Sequence, residues 1–264
     1  MNTGQIQLSE FIKLFSSNRN AKNNAFLKFS TFNSVYNSIL KFNTELTKLP
    51  NTPVKFDFVF VDLPFGMQRE PFRLDESKKV NQNWNLIYDS LKLTNPNSYL
   101  FAVAEPSIYS TKQGREFLEI LAQEGNYCNL IIDVPEKIYA PQTAFTPILL
   151  GFQKNKTKKL FVAKIDNENC SQIIHNYENN FSENLINGKW IERDLFSTFQ
   201  KTEIEGQISN LQTQYKVYKQ YKLIDIAESI NLTREHFDET PNTIYIPKLG
   251  TSQVVSDINA TKIK

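Results

Sequence analysis

The chain has 264 residues with 30 basic and 28 acidic side chains, a net charge of +2, and 40% hydrophobic residues. This composition excludes an intrinsically disordered polymer and allows one sizeable core with a smaller appended unit. The near balance of charge excludes a uniformly basic surface, so any nucleic-acid-binding surface is local.

Residues 1–50 are rich in Asn, Ser, Lys and Phe. Phe11, Leu14 and Phe15, then Val35, Ile39 and Leu40, fall at helical spacing, so a helical segment is expected there. Pro50, Asn51 and Pro53 mark a boundary. The apolar run Phe56 to Val61 closes on Asp62-Leu63-Pro64-Phe65-Gly66, which predicts a buried strand and a turn. Trp84, Ile87, Tyr88 and Leu91 sit at i, i+3, i+4 and i+7, the pattern of a helix on a sheet. Asn95-Pro96-Asn97 ends that helix. A second buried strand is expected over Tyr99 to Val103. A helix follows, marked by Phe117, Leu118 and Leu121 and ending near Gly125, and then a third strand over Asn129 to Val134. Pro147 to Phe152 and Leu160 to Ile165, joined by the polar linker Lys154 to Lys159, predict an antiparallel hairpin closing the sheet. Residues 166–195 are expected to be loop-rich. Ile204, Ile208, Leu211, Tyr215 and Tyr218 alternate at spacings of four and three, a heptad-like stripe on a helix of about four turns. A short helix is expected over Leu223 to Ile230 and a strand over Thr243 to Ile246.

The order strand, helix, strand, helix, strand, hairpin predicts an α/β fold. It is the second half of a doubly wound, Rossmann-like sheet with an antiparallel C-terminal hairpin, followed by a helical segment. In such sheets ligands bind outside the carboxyl ends of the strands, where Asp62 to Phe65 lie. The combination suits a flat base with an exocyclic amine. Asp62 can accept a hydrogen bond from the amine. The carbonyl of Leu63 can accept another, because Pro64 favours an extended residue before it. Phe65 offers a ring for stacking, and Gly66 a tight exit. Two acceptors would localise the lone pair of a poorly nucleophilic amine by positioning and preorganised electrostatics. The other reading of the same residues is a plain turn, with Asp62 accepting local backbone N–H groups.

The residues that follow separate the two readings. Phe56 to Lys154 resembles the catalytic domain of the N6-adenine DNA methyltransferases of type I restriction–modification systems (the M subunit) and of the fused type IIG enzymes. Asp62-Leu63-Pro64-Phe65 is similar to the family's Asn/Asp-Pro-Pro-Phe/Tyr tetrapeptide, with Leu63 in place of the first Pro. The Trp84 to Leu93 helix and the Tyr99 to Pro106 strand resemble the elements that come next. Leu130-Ile131-Ile132-Asp133-Val134-Pro135, Tyr139, Thr143, Thr146, Ile148 to Leu150 and Lys154 are similar to a later family segment. Tyr218 to Ile258, notably Tyr245-Ile246-Pro247-Lys248-Leu249-Gly250-Thr251-Ser252, looks like the lead into a target-recognition region.

The resemblance implies methyl transfer from S-adenosylmethionine to a flipped adenine, with Asp62, Leu63, Pro64 and Phe65 as site residues. It implies double-stranded DNA as partner, together with specificity, nuclease or complementary methylase subunits. It divides the chain into a helical segment 1–50, a methyltransferase catalytic half 51–165, a loop and helical connector 166–222, and the start of a target-recognition region 223–264. Asp-Leu-Pro-Phe-Gly also resembles the turn of guanine-N2 tRNA methyltransferases, which keeps RNA as an alternative substrate. A non-catalytic remnant, acting as an assembly or DNA-binding module, is the other alternative. The family's glycine-rich cofactor turn is missing. Gly4 is the one glycine before Asp62, and the eight glycines form no G-x-G-x-x-G turn or P-loop.

Other residues carry less. Cys128 and Cys170 are far apart, which argues against a disulfide framework or a Cys-rich zinc site and fits a reducing cytoplasm. The polar start, Asn2 to Glu10, is unlike a signal peptide, and no membrane-spanning stretch is expected. His175 and His236 are isolated, so no metal is expected. Glu105-Pro106 reads either as a cleft wall or as a solvated strand end. Tyr139 reads as a base contact or as packing. Lys154, Lys156, Lys158 and Lys159 read as a phosphate contact or as a solvated turn.

Overall fold

The computed structural model describes residues 3–19, 21–29, 42–51, 54–64, 66, 68–134, 138–139, 146–166 and 168–216. The chain divides into two compact units, Met1–Leu211 and Gln212–Lys264. Of the second, only residues 212–216 are described, so the expected helix at 223–230 and strand at 243–246 lie outside the described residues.

The first unit opens with helix α1 (Thr3–Asn18) and strands β1 (Asn24–Lys28) and β2 (Thr44–Leu46). Strand β3 (Phe56–Asp62) leads to a hairpin of β4 (Arg69–Phe72) and β5 (Asp75–Asn81), then helix α2 (Gln82–Leu91) and strand β6 (Thr94–Ala104). A short helix α3 (Ser107–Ser110), helix α4 (Lys112–Gln123) and strands β7 (Tyr127–Asp133), β8 (Ile148–Gln153) and β9 (Leu160–Lys164) follow. Helix α5 (Cys170–Glu178), strand β10 (Lys189–Ile191) and helix α6 (Phe199–Gln214) complete the described elements.

Eight strands form one sheet in the order β10-β9-β7-β8-β6-β3-β1-β2. Strands β2, β1, β3, β6, β7 and β9 run in one direction, and β8 and β10 run against them. Both faces are covered, which is why the central strands read as unbroken apolar runs rather than alternating ones. Successive side chains still divide between the faces. Phe26, Phe58, Phe60, Phe101 and Phe161 line one face, against Leu8, Phe11, Ile12 and Phe15 of α1 and Ile173, Ile174 and Tyr177 of α5. Ala25, Val59, Val61, Leu100, Ala102, Ile131 and Val162 line the other, against Trp84, Ile87 and Leu91 of α2 and Phe117 and Leu121 of α4. The result is a three-layer, doubly wound α/β fold, as the element order predicts.

Three expectations change in detail. The segment 1–50 is helical over Thr3–Asn18 but also supplies β1 and β2, which pair parallel to β3 and to each other. It is part of the sheet, not a separate helical unit. Val35, Ile39 and Leu40 lie outside the described residues. The loop-rich stretch 166–195 contains α5 and β10.

The expected hairpin between the Ile148 and Leu160 runs does not form. Strand β8 is antiparallel, but it enters between β6 and β7, and β9 lies parallel on the far side of β7. The physical reason is the burial of β7, where Cys128 to Ile132 are buried without a break. A strand apolar on both faces cannot be left at an edge with unpaired backbone, so it takes a neighbour on each side. The linker 154–159 therefore crosses the amino end of β7. Asn129, fully buried, donates to the carbonyl of Asn155 at 2.6 Å and to Gln153 Oε1 at 3.0 Å. Arg193 donates to Asn129 Oδ1 at 2.6 Å, the Cys128 carbonyl at 2.6 Å and Thr157 Oγ1 at 2.7 Å.

Candidate active site

Strand β1 leads to β2 on one side of the sheet, and β3 leads to β6 on the other. The order reverses between β1 and β3, and a doubly wound sheet opens its ligand crevice at such a point. Asp62 ends β3 at this point. It stands in register with Lys28 of β1 and Val103 of β6, and its carbonyl accepts the Phe29 N–H at 3.0 Å. The switch point arises because residues 24–46 add their strands to the side of β3 opposite β6.

Asp62 and Leu63 are fully buried, and Pro64 is partly exposed. The carboxylate of Asp62 is engaged: the Tyr139 phenol donates to Oδ1 at 2.6 Å. Tyr139 is itself fully buried, with its ring in the phenylalanine-lined layer. This placement agrees with the packing reading of Tyr139 and adds a bond to Asp62 that the sequence did not indicate. The Pro64 carbonyl accepts from Asn83 Nδ2 at 3.4 Å, at the start of α2. The Gly66 N–H donates to Glu105 Oε1 at 3.0 Å, and Ser107 Oγ donates to Glu105 Oε2 at 3.2 Å. Gly66 has a φ of +70°, a conformation that favours glycine. Glu105 thus ties the end of β6 to the turn after β3. Phe65 lies outside the described residues, as does Met67.

The β4–β5 hairpin that follows the turn is pinned to α2 by Asn85, a buried side chain that periodicity did not single out. Its Nδ2 donates to the Pro71 carbonyl at 2.9 Å and to Glu70 Oε1 at 2.7 Å, and its Oδ1 accepts the Arg73 N–H at 3.2 Å. Asp133 ends β7 along the same sheet edge as Asp62, with Lys164 Nζ 3.9 Å from its Oδ2. Among the described residues, this edge carries the carboxylates of Asp62, Glu105 and Asp133. Asp62 alone of the three is wholly buried.

Asp62, Leu63 and Pro64 are brought together at the switch point, while the lysine cluster is not near them. Lys154 to Lys159 cross the opposite edge, by the strands' amino ends, where Lys159 pairs with Glu192 at 2.9 Å. An open hollow of about 630 Å³, lined by Arg19, Lys22, Asp57, Asn95 and Tyr99, also lies at that opposite edge. Burial pushes the Cys128 thiol up to about 12, with Arg193 opposing. His175 accepts or shares a contact with Asn179 Nδ2 at 3.2 Å. Among the described residues no helix is long and apolar enough to cross a membrane.

The turn after β1 tests the fit of a cofactor. Glycines at the first turn of a Rossmann-like sheet let the backbone approach the ligand closely. Here no glycine occurs between Lys28, the end of β1, and Thr44, the start of β2. Phe29, the first residue past β1, packs partly buried on the core. The residues present do not fit a glycine cradle.

No family model and no curated protein sequence matches the chain. Solved structures do match. A chain assigned as a class I S-adenosylmethionine-dependent methyltransferase from Listeria monocytogenes superimposes with a TM-score of 0.51 at 17% identity, over 67% of this chain and 71% of that one. The methyltransferase subunit of a type I restriction–modification system from Streptococcus thermophilus gives 0.54 at 10% identity, over 74% of this chain and 56% of that one. The type IIG restriction endonuclease BpuSI gives 0.51 at 8% identity, over 81% of this chain and 34% of that one. The fold is thus the Rossmann-like fold of the class I methyltransferases, and the type I modification subunits are among its structural neighbours. This chain spans little more than half the length of the Streptococcus subunit and a third of the type IIG enzyme.

Proposed function

We propose that the chain is the base-holding part of an S-adenosylmethionine-dependent methyltransferase that acts on the N6 amine of adenine in double-stranded DNA. It would serve as a subunit or fragment of a restriction–modification enzyme. The observation that carries this reading is the buried Asp62 carboxylate at the switch point of a methyltransferase-type sheet, followed at once by Leu63-Pro64.

The target base leaves the duplex stack, at a cost of a few kcal/mol. Its amine donates to the Asp62 carboxylate and to the Leu63 carbonyl. The ring of Phe65 stacks on the base and offsets part of the unstacking cost. Two acceptors on one amine draw its lone pair out of the ring, so the nitrogen becomes the better nucleophile. The anchored backbone of Asp62 gives this contact its precision, because β1 and β6 pair on both sides of it. With no glycine cradle on this chain, a complementary methylase subunit holds the methyl donor; specificity and nuclease subunits are the further partners.

Asp62→Ala is expected to abolish methyl transfer in the active assembly, while Asp62→Asn, which keeps an acceptor oxygen, retains part of it. Duplex DNA and tRNA offered side by side should show methylation of DNA adenine. Full activity of Asp62→Ala would sink the role of Asp62.

The glycine-free turn favours a second reading, a non-catalytic assembly or DNA-binding module. Methyl transfer in the reconstituted assembly separates the two: transfer that needs this chain and is lost in Asp62→Ala excludes the second reading, and no transfer in any assembly supports it.

A further inference from the structure

We infer that Tyr139 is a positioning residue for the Asp62 carboxylate, holding it by its phenol in the orientation that receives the base amine. The inference rests on the base-holding reading of Asp62 and adds to it a residue seventy-seven positions away in the chain.

The backbone of Asp62 is fixed by its register with Lys28 and Val103 and by the Phe29 N–H on its carbonyl. The carboxylate turns about its own side-chain bonds, and a short O–H···O contact of 2.6 Å restrains that rotation. The donor is a fixed point, because the Tyr139 ring is fully buried in the same layer as Phe26, Phe60 and Phe101. An ionised carboxylate has about four lone-pair sites. The Tyr139 phenol draws on one of them. A phenylalanine at this position would fill the same space and remove the phenol's bond to the carboxylate. The hydroxyl is thus the part of Tyr139 that acts on the site, and the ring is the part that packs.

Tyr139→Phe in the full chain tests this by two measurements. In the active assembly, kcat is expected to fall roughly 10- to 100-fold, the loss of one charge-assisted bond, with KM for DNA unchanged within about twofold. In the isolated chain with ¹³C-labelled aspartate, the Asp62 carboxyl resonance, assigned by its disappearance in Asp62→Asn, is expected to move. A general loosening of the fold would instead disturb amide resonances throughout the sheet. A carboxyl resonance that stays in place overturns the hold of Tyr139 on Asp62. So does a kcat within twofold of the parent. Retained methyl transfer in Asp62→Ala, by contrast, defeats the base-holding reading itself, whatever the Tyr139 resonance experiment shows.

Discussion

Arg193→Met is the most direct test of how this sheet obtains its strand order. The guanidinium donates from Nη1 to the Cys128 carbonyl at 2.6 Å, and from Nη2 to Asn129 Oδ1 at 2.6 Å, Thr157 Oγ1 at 2.7 Å and the Thr157 carbonyl at 3.0 Å. These bonds clip the linker 154–159 over the start of β7. Methionine keeps much of the apolar stem and removes the donors. One hydrogen bond from a charged donor contributes about 1.5–3 kcal/mol, but bonds sharing one guanidinium do not add. Arg193 is also partly exposed, so solvent replaces some of what is lost. The expected loss is about 3 kcal/mol. With a urea m-value of about 3 kcal/mol/M, the unfolding midpoint should fall by about 1 M with m unchanged. A fall below about 0.2 M, roughly 0.5 kcal/mol, would show that the crossover holds without its clamp and would refute the reasoning.

Gly188→Ala should lower the melting temperature by about 4–8 °C, corresponding to at least about 2 kcal/mol, because φ is +100° and a Cβ would run into the Phe161 ring; calorimetric scans of parent and variant decide it. Both thiols titrate near 12, Cys128 through burial and Cys170 through burial and then the nearby Glu10 and Asp166. A thiol pKa raised above its unfolded value contributes stability in full below about pH 9 and loses it as pH climbs toward 12. Urea midpoints measured from pH 8 to 11 should therefore fall, and iodoacetamide at pH 8 should label both cysteines only after unfolding. Ile204 and Ile208 are each 47% exposed on α6. The double substitution Ile204→Gln, Ile208→Gln is expected to move the urea midpoint of the first unit by no more than about 0.5 kcal/mol equivalent; a larger loss would mean that this face is packed on the body.

The legible parts of the sequence were the elements buried on both faces. Phe56 to Asp62, Leu130 to Ile132 and Ile148 to Phe152 carry enough adjacent apolar residues to declare themselves, and Trp84, Ile87 and Leu91 mark their helix by spacing. Strand β1 has only Ala25, Phe26 and Leu27 buried, between Asn24 and Lys28, and three apolar residues have no readable period. Strand β2 is three residues long, with a burial pattern no turn would contradict. The mostly charged run Asp75 to Asn81 forms a strand by pairing with β4, and Val80 is the one side chain it buries in the core. Strand order was equally hidden, since periodicity reports which residues are buried and not which strand lies beside which. At the site, Asp62-Leu63-Pro64 was legible as a strand end. The bond to Tyr139 was not, because it joins residues distant in the chain and a hydroxyl on an aromatic ring has no sequence signature of its partner.

The insertion of β8 between β6 and β7 bears on how the chain must be assembled. Strands β6 and β7 are both made before β8, and neither can complete its backbone pairing toward the other until residues 148–153 arrive in the gap. The sheet therefore does not grow outward by adding edges. It is two partial ribbons, β2-β1-β3-β6 on one side and β7 with its later neighbours on the other, joined along a seam laid down late. Such non-local closure is entropically slow, and it exposes two apolar strand edges meanwhile. A chain cut just before Ile148 would lose more than one strand: it would lose the piece that makes the two ribbons a single sheet.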